Sequence, residues 1–439
     1  MHIKKFIALM LACVALTTLA GCHIKAAEEL YSPPKRSEAY RGLQLKIDEV
    51  MDGLDYSAPI AGENQQTVQL ADLDGDGANE YILFARGATE QPMQIFIFDQ
   101  INGEYRLLDS VCASGAAFEQ VEYVQMDDNP GLEMVVGYQL SGEVLRVVSV
   151  YSLQGSQMEQ LVRTSYAKFV CCDLDVDKKS ELLVLRPDED NTVSGIAELF
   201  SIESGSAERS AEVGLSEPAE HIKRIMVSRL DGGLPAVYVA SEVDSGAIIT
   251  DVFSVVDGQF TNVSFSHEAG TSVQTFRNYY VYADDIDDDG VLELPNLIVS
   301  QNSDTHPHEQ YVIRWYSMTP DGAEVDKLYT YHNYVGGWYI SLAADIAPKL
   351  SVTQMGNSFD FYIHGEGAEE PERLMSIYAL TGQKREEQAL VNNRFVLFRT
   401  ESTVYAAHLD VASGAYGMSK DGLIDSFHLI VQDWKTGET

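Results

Sequence analysis

Residues 72–80 read Asp72-Leu-Asp-Gly-Asp-Gly-Ala-Asn-Glu80, and the apolar run Tyr81-Ile-Leu-Phe84 follows directly. This nine-residue frame, the Asp72 loop, recurs without gaps at residues 173–181 (the Asp173 loop) and 285–293 (the Asp285 loop). Weaker forms lie at residues 125–133 (the Gln125 loop) and 229–237 (the Arg229 loop). The successive start positions are 53, 48, 56 and 56 residues apart. The chain therefore contains a structural repeat with a period of about 50 residues.

Each unit repeats its apolar segments as well as its loop. An alternating segment precedes each loop and a short apolar segment follows it, which is the pattern of β-strands. A third strand follows, and after a turn such as Asn102-Gly103 or Asp257-Gly258 a fourth strand completes most units. The expected first strands are residues 67–71, 118–124, 166–170, 222–227 and 279–283.

Four antiparallel strands per unit form the blade of a β-propeller, a fold that usually has about four to eight blades around a channel. One blade cannot bury both of its faces, so neighbouring blades must stack. The sequence therefore predicts a mainly β fold: a β-propeller of about five recognisable four-stranded blades over residues 59–332. A stacked β-solenoid does not fit, because its coils are much shorter than this repeat.

The acids of the loop are spaced like the ligands of a hard cation. Carboxylates at the first, third, fifth and ninth positions and a backbone carbonyl at the seventh supply the oxygens that Ca²⁺ prefers. Without a cation these carboxylates would repel each other, so the sequence predicts structural Ca²⁺. The expected ligands are Asp72, Asp74, Asp76, Ala78 and Glu80; Asp173, Asp175, Asp177, Lys179 and Glu181; and Asp285, Asp287, Asp289, Val291 and Glu293. The alternative is an acidic, solvated turn without an ion, and it is favoured for the Gln125 and Arg229 loops, which lack the first aspartate.

These loops resemble those of the FG-GAP/VCBS-type repeat proteins, which form integrin-α-like β-propellers. The resemblance covers roughly residues 60–330 and rests on the Asp72 loop and its relatives at 173–181 and 285–293. It implies a propeller fold and calcium in the acidic loops, and it says little about a ligand. In this chain the ninth position is Glu where the family more often has Asp, and two of the five loops have lost most of the pattern.

The first residues are predicted to be a targeting segment. Lys4 and Lys5 precede an apolar run over residues 6–18, and Leu19-Ala20-Gly21-Cys22 follows. This ending resembles the bacterial lipoprotein signal, which implies cleavage after residue 21 and a diacylglyceryl group on Cys22. Two acyl chains anchor a protein stably, so we expect it on the outer face of the cell membrane. A plain secretory peptide is the alternative. Residues 22–58 are expected to form a tether and a short helix.

The pattern changes after residue 332. Strands are expected at intervals over residues 348–409, and Leu423, Phe427, Ile430 and Trp434 fall on one face of a helix over residues 422–434. Residues 333–439 are therefore expected to form a small α+β C-terminal domain. A diverged sixth blade is the competing interpretation.

The charge balance limits the possible partners. The formal net charge is −37, from 67 acidic and 30 basic residues, and this opposes binding to nucleic acid. The Asp72, Gln125, Asp173 and Asp285 loops together hold 16 of the 67 acids in 36 of 439 residues. No nucleophile or phosphate-loop motif occurs in the sequence.

These features predict a membrane-tethered extracytoplasmic lipoprotein that binds or scaffolds, presenting a surface to a protein or a glycan. An enzyme is the less favoured interpretation. Its form would be a polysaccharide-acting hydrolase with its site at the propeller channel, which requires two acids facing one cleft, for example Glu119 and Glu122. A third possibility makes the C-terminal domain the functional part and the propeller its spacer.

Overall fold

The computed structural model describes residues 40–140, 145–190, 192–203, 205–243, 246–279, 281–298, 310–334, 336–365 and 370–430. The predicted signal segment, Cys22 and most of the tether lie outside these residues. In the described ranges, no helix combines the length and the apolar character that a membrane span needs. The predicted mainly β fold is confirmed.

The first half of the described chain forms three antiparallel sheets in chain order. Sheet 1 contains β1 (Asp55–Tyr56), β2 (Val68–Ala71), β3 (Glu80–Arg86), β4 (Met93–Ile101) and β5 (Glu104–Ala113). Sheet 2 contains β6 (Ala117–Val124), β7 (Glu133–Gln139), β8 (Arg146–Gln154) and β9 (Gln157–Ser165). Sheet 3 contains β10 (Lys168–Cys172), β11 (Glu181–Arg186), β12 (Gly195–Glu203), β13 (Ser206–Arg209) and β14 (Val213–Leu215).

Three further antiparallel sheets complete the described residues. Sheet 4 contains β15 (Ile222–Arg229), β16 (Pro235–Val243), β17 (Ala247–Val256) and β18 (Gln259–Asn262). Sheet 5 contains β19 (Leu294–Ile298), β20 (Gln310–Met318), β21 (Glu324–Asn333), β22 (Trp338–Leu342) and the distant β28 (Phe427–Leu429). Sheet 6 contains β23 (Leu350–Met355), β24 (Ser358–Ile363), β25 (Glu372–Thr381), β26 (Phe395–Arg399) and β27 (Thr403–Leu409). The α-helices are α1 (Arg41–Val50), α2 (Arg385–Gln388) and α3 (Lys420–Asp425).

The strand register fixes where each loop begins and ends. In sheets 1, 2 and 3 the ninth residue of the loop starts the second strand and pairs with the last residue of the first strand. These pairs are Ala71 with Glu80, Val124 with Glu133 and Cys172 with Glu181. Each of these loops is thus a connection between two neighbouring strands of one sheet. A glutamate closes it at the sheet end.

The predicted first strand of the fifth unit, residues 279–283, is wrong at its described residues, 279 and 281–283, which form no strand. The described chain has only an isolated bridge between Asp284 and Glu293 at that loop. The preceding backbone is tied to sheet 4 instead, because Arg277 and Ile248 exchange both of their N–H to carbonyl hydrogen bonds, at 2.9 and 3.0 Å. Pairing with the preceding sheet takes the chain away from the edge of β19.

The core is divided among successive sheets. Phe84 of sheet 1 packs with Phe118 and Tyr138 of sheet 2, and comparable apolar clusters join each sheet to the next as far as sheets 5 and 6. The other face of sheet 1 is covered by α1, through Leu43 and Ile47. Within the described ranges, none of these clusters joins sheet 6 to sheet 1. The short helix expected within residues 22–58 is confirmed by α1.

The predicted helix over residues 422–434 is wrong for residues 426–430, and its last four residues, including Trp434, lie outside the described residues. The side chain of Ser419 caps α3 by accepting a hydrogen bond from the backbone N–H of Gly422, and the helix ends at Asp425. Phe427 then pairs with Ile340 as part of β28 and stacks on Trp338 with ring centroids 5.5 Å apart. Burial of Phe427 against sheet 5 outweighs helix continuation. The expected boundary at residue 333 consequently falls inside sheet 5.

Candidate metal centres

The aspartates of the Asp72 loop are oriented by the backbone of the loop itself. The Asp72 Oδ1 accepts a hydrogen bond from Gly75 N at 2.7 Å, and its Oδ2 accepts one from Gly77 N at 3.0 Å. The Asp74 carboxylate accepts from Asp76 N, at 3.0 Å. Short side chains that bond to nearby backbone N–H groups hold a turn in one conformation. The loop therefore positions its carboxylates without help from another element.

The Asp173 loop reproduces these bonds with a different sequence. Asp173 accepts from Val176 N at 2.7 Å and from Lys178 N at 3.0 Å, where the Asp72 loop uses Gly75 and Gly77. Val176 and Lys178 accordingly adopt positive φ angles of 68° and 75°. Such angles are costly for residues with a side chain, above all a β-branched one. The shared frame thus sets the conformation even where glycine is absent.

A buried glutamate closes the Asp72 loop. Glu80 is fully buried, and its Oε2 accepts a hydrogen bond from Leu73 N at 2.6 Å. Its Oε1 has no hydrogen-bond partner, and the same is true of Glu293 Oε1 in the Asp285 loop. Burial raises the pKa of Glu80 to about 7 and that of Glu293 to about 8, and repulsion from the neighbouring aspartates adds to this. A buried carboxylate oxygen without a donor is costly, and a bound cation would remove the cost.

The carboxylates converge in all three acidic loops. Oxygen atoms of Asp72, Asp74 and Glu80 lie within 4.8 Å of one another. The same holds for Asp173, Asp175 and Glu181, and for Asp285, Asp287 and Asp289. Ca²⁺ binds six to eight oxygens at about 2.3–2.6 Å, so ligands of one ion lie at such separations. These sets contain only oxygen, and they can hold a hard metal ion.

Not every predicted ligand belongs to a converging set. Asp76, Asp177 and Glu293 do not belong to these converging sets. The backbone N–H groups of Ala78, Lys179 and Val291 donate to the carboxylates of Asp76, Asp177 and Asp289, at 2.7–2.8 Å. These bonds fix the seventh residue next to the fifth. Coordination by the carbonyls of Ala78, Lys179 and Val291 stays a prediction.

The Gln125 loop satisfies its acids with protein donors. Glu133 is buried, and its Oε2 accepts from Met126 N at 2.8 Å, as in the acidic loops. Its Oε1 accepts from the Ser152 hydroxyl at 3.2 Å. Asp127, also buried, accepts from the backbone and side-chain N–H groups of Asn129, both at 2.7 Å. Among the described residues, this loop contributes to none of the converging acid sets.

The loops of neighbouring sheets touch. The Leu132 N–H donates to the Asp72 carbonyl at 2.9 Å, and the Ser180 N–H donates to the Gln125 carbonyl at 2.7 Å. Gly75 has a φ of 75°, and a Cβ on it would overlap the side chain of Pro130. The first three loops therefore form a continuous row along one edge of the stacked sheets.

Two lysines contact the aspartates of these loops, one in the row and one at the Arg229 and Asp285 loops. The Lys179 Nζ lies 3.0 Å from Asp177 Oδ2 and 3.3 Å from Asp128 Oδ1. The Lys327 Nζ lies 3.3 Å from both Asp289 Oδ2 and Asp231 Oδ1. Spacing within the loop could not have pointed to Lys327, because it comes from β21, 38 residues after Asp289.

The acids considered for a hydrolase have other partners. Glu119 Oε2 accepts from the Tyr166 hydroxyl at 2.9 Å and lies 2.9 Å from Arg146 Nε. Glu122 accepts a short hydrogen bond from the Gln120 amide, and burial raises its pKa. The ion pair with Arg146 engages one member of the pair. This geometry does not favour the hydrolase interpretation.

No protein-family model matches the chain, and no curated protein matches it. Among solved structures it is similar to Sqt1 from Saccharomyces cerevisiae, with 9% identity, a TM-score of 0.29 and coverage of 66% of this chain and 82% of that chain. It is also similar to a rhamnogalacturonan lyase from Bacillus licheniformis, with 12% identity, a TM-score of 0.30 and coverage of 68% of this chain and 69% of that chain. A protein from Lactobacillus plantarum shows 10% identity, a TM-score of 0.26 and coverage of 72% of this chain and 85% of that chain. At such TM-scores these similarities support no conclusion about function.

Proposed function

We propose that this protein is a calcium-stabilised β-propeller that acts as a binding or scaffolding lipoprotein on the outer face of a bacterial cell membrane. The observation that carries the calcium part is the pair of buried, unpartnered carboxylate oxygens on Glu80 and Glu293. Each belongs to a loop whose aspartates converge on one point. Three loops with one design are the signature of a repeated structural site.

The donor chemistry favours calcium over transition metals. The converging atoms are carboxylate oxygens in all three loops, with no histidine or cysteine among them. Hard cations prefer such ligands, whereas zinc and copper sites usually use nitrogen and sulfur. The ion would be held by the converging acids of each loop: Asp72, Asp74 and Glu80; Asp173, Asp175 and Glu181; and Asp285, Asp287 and Asp289. Bound there, it would supply positive charge at the sheet end where β2 passes into β3.

The sheet order supports the propeller. Sheets 1 to 4 each contain a four-stranded antiparallel path, and each stacks on the next through its own apolar cluster. On this proposal sheets 1 to 5 are the five recognisable blades. Sheet 6 is either the diverged sixth blade or the core of the C-terminal module. The loop row then lies on one rim of the propeller.

The location rests on the sequence of the first 22 residues. The lipoprotein-type ending Leu19-Ala20-Gly21-Cys22 supports a lipid anchor on Cys22. Cells fed labelled palmitate should incorporate the label into the wild-type protein and not into a Cys22→Ala variant. Equal labelling of both proteins would contradict the anchor. A partner on the exposed rim would be a protein or a glycan, and the net charge of −37 argues against nucleic acid.

Chelation tests the calcium proposal. The full chain without residues 1–21 is melted in EDTA and in millimolar Ca²⁺, and calcium binding is measured by titration calorimetry. We expect a higher melting temperature with Ca²⁺, because a ligand that binds only the folded state stabilises it. The double variant D72N/D74N should lose one binding site and part of the calcium-induced shift.

A matched control uses Asp345→Asn, an exposed aspartate outside the loops. It also removes a negative charge and should leave the calcium-induced shift unchanged. Identical melting of the wild-type protein in EDTA and in Ca²⁺, together with no heat of binding, would show that the loops are metal-free turns.

A further inference from the structure

Lys179 and Lys327 place an ammonium group at equivalent positions of two different loops. In the Asp173 loop the Lys179 Nζ contacts Oδ2 of Asp177, the fifth residue of the frame. In the Asp285 loop the Lys327 Nζ contacts Oδ2 of Asp289, again the fifth residue. In both loops the Oδ1 of that aspartate accepts from the backbone of the seventh residue. The lysine therefore takes the carboxylate oxygen that the loop backbone leaves open.

Each lysine also reaches the loop of the preceding sheet. Lys179 contacts Asp128 of the Gln125 loop, and Lys327 contacts Asp231 of the Arg229 loop. Both lysine side chains are largely covered, with 22% and 19% of their surface exposed. Each ammonium thus bridges an acidic loop and one of the two loops that have lost the acidic pattern.

The two lysines arise independently. Lys179 is the seventh residue of its own loop, whereas Lys327 comes from the strand β21. Their arrival at the same atom of the frame is a structural convergence, which neither loop sequence alone explains. The Asp72 loop differs, because its fifth residue, Asp76, contacts no lysine among the described residues.

A cation next to a ligand carboxylate opposes a second cation. The ammonium at Asp177 or Asp289 would repel a divalent ion bound by the same loop and would compete for a carboxylate that calcium could use. Without metal, the same ammonium offsets the repulsion among the loop aspartates. The lysine should therefore stabilise the metal-free loop and weaken its affinity for metal.

We propose that Lys179 and Lys327 are internal counter-ions that lower the calcium affinity of the Asp173 and Asp285 loops, so that the Asp72 loop fills first. This inference rests on the proposed function, since it requires the loops to bind calcium. It ranks the three sites: one high-affinity site without a lysine, and two weaker sites that fill at higher calcium concentrations.

The test replaces each lysine by glutamine, which keeps much of the length and removes the charge. Calcium titration calorimetry is carried out on the chain without residues 1–21, as wild type, K179Q, K327Q and the double variant. We expect the affinity of one weak site to rise about tenfold in each single variant, from the loss of one unit charge near the ion. The tightest site should be unchanged.

Melting in EDTA gives a second readout of opposite sign. The same variants should melt at a lower temperature than the wild type in EDTA, because the loop aspartates lose their counter-ion. They should also show a larger upward shift on calcium addition. A lysine with a purely structural role would lower the melting temperature in both conditions and leave the calcium affinity unchanged.

Lys168→Gln is the matched control. Lys168 is exposed and lies at the end of β10 away from the Asp173 loop, about 13 Å along the strand from Cys172. It removes the same charge and should change neither readout. Calcium binding with an unaltered or weaker affinity in K179Q and K327Q would overturn the inference alone. Absence of any calcium binding by the wild-type chain would overturn the proposed function and the inference with it.

Discussion

The Asp72 loop and the Gln125 loop are closed in the same way by their ninth-position glutamates and differ in what satisfies the second glutamate oxygen. In both, the ninth-position glutamate is buried and accepts a hydrogen bond from the second backbone N–H, at 2.6 Å for Glu80 and 2.8 Å for Glu133. The other oxygen of Glu133 accepts from Ser152, whereas the other oxygen of Glu80 has no partner. Both oxygens of the Gln125-loop glutamate thus have hydrogen-bond donors, whereas one oxygen of the Asp72-loop glutamate lacks a positive partner.

The difference separates two roles of the ninth glutamate. Closing the loop against the second N–H is common to both, so it needs no metal. Demand for a cation arises only where the remaining glutamate oxygen has no protein donor, as in Glu80. A loop of this repeat can therefore keep its fold without a metal if a side chain such as Ser152 supplies the missing hydrogen bond.

Replacement of the ninth-position glutamates should give the largest difference in stability between the two loops. In Ca²⁺, Glu80→Ala should lower the free energy of unfolding by about 3 kcal/mol, because it leaves the Leu73 N–H unpaired and removes a ligand of the proposed calcium site. In EDTA the loss should shrink to about 1 kcal/mol. Glu133→Ala should cost about 2 kcal/mol in both conditions. Urea unfolding with and without Ca²⁺ measures the four values.

Glu90→Ala is the control for this pair, since Glu90 is exposed in a turn of sheet 1. It should change the free energy of unfolding little in either condition. A calcium-dependent loss for Glu133→Ala equal to that for Glu80→Ala would contradict the distinction between the two loops.

The contact between the two loops can be broken at Gly75. Gly75→Ala should cost about 2 kcal/mol, because the added Cβ meets Pro130 and because a φ of 75° is unfavourable for alanine. Gly77→Ala is the matched variant: its φ is 88°, but its Cβ would enter open space, so about 1 kcal/mol is expected. Thermal melting in EDTA compares them. Equal costs would mean that the loop contact contributes nothing.

Ser152→Ala should make the Gln125 loop resemble the Asp72 loop. It removes the donor to Glu133 Oε1 and leaves a buried acceptor unsatisfied, so we expect a loss of about 1 kcal/mol. Calcium should not restore it, since the first position of this loop is glutamine. Chemical unfolding with and without Ca²⁺ provides the measurement. Full stability of the variant would show that the hydroxyl is dispensable.

The smallest effect is expected from Glu133→Gln, and pH reveals it. Burial raises the pKa of Glu133 above its usual value. Between the unfolded-state pKa and the folded-state pKa, the carboxyl group is therefore protonated in the folded state and ionised in the unfolded state. Its contribution to stability is therefore present at low pH and is lost as the pH rises through the folded-state pKa. Glutamine imitates the protonated form and should remove this part of the pH dependence.

The readout for Glu133→Gln is the melting temperature in EDTA between pH 5 and pH 8, compared with the wild-type protein. The variant should match the wild type at the acidic end and exceed it slightly at the alkaline end. A pH profile parallel to that of the wild type would mean that Glu133 titrates alike in both states.

Local spacing made the loops predictable, and distant contacts explain what was missed. The frame from Asp72 to Glu80 specifies its own hydrogen bonds, so the sequence alone could predict the converging carboxylates. Lys327 could not be found this way, because only the fold brings β21 to the Asp285 loop. The strand expected at residues 279–283 failed for a similar reason, since Arg277 pairs with sheet 4.

The C-terminal helix shows how a periodic pattern can serve two structures. Leu423 and Phe427 are four residues apart and both are buried, as an amphipathic helix requires. Leu423 is indeed on α3, but Phe427 is buried as a strand residue of sheet 5 against Trp338. The pattern correctly predicted that both residues are buried, but it could not reveal which neighbouring element buries each of them.

The position of α1 has a mechanical consequence. It is the first helix of the described residues, and it covers sheet 1 through Leu43 and Ile47. On a chain anchored at Cys22, a pulling force would reach α1 before any sheet. Because side-chain packing holds α1 on sheet 1 and backbone hydrogen bonds hold the strands together, the helix would detach before the strands separate. Under tension α1 would act as a release that lengthens the tether and exposes the outer face of sheet 1.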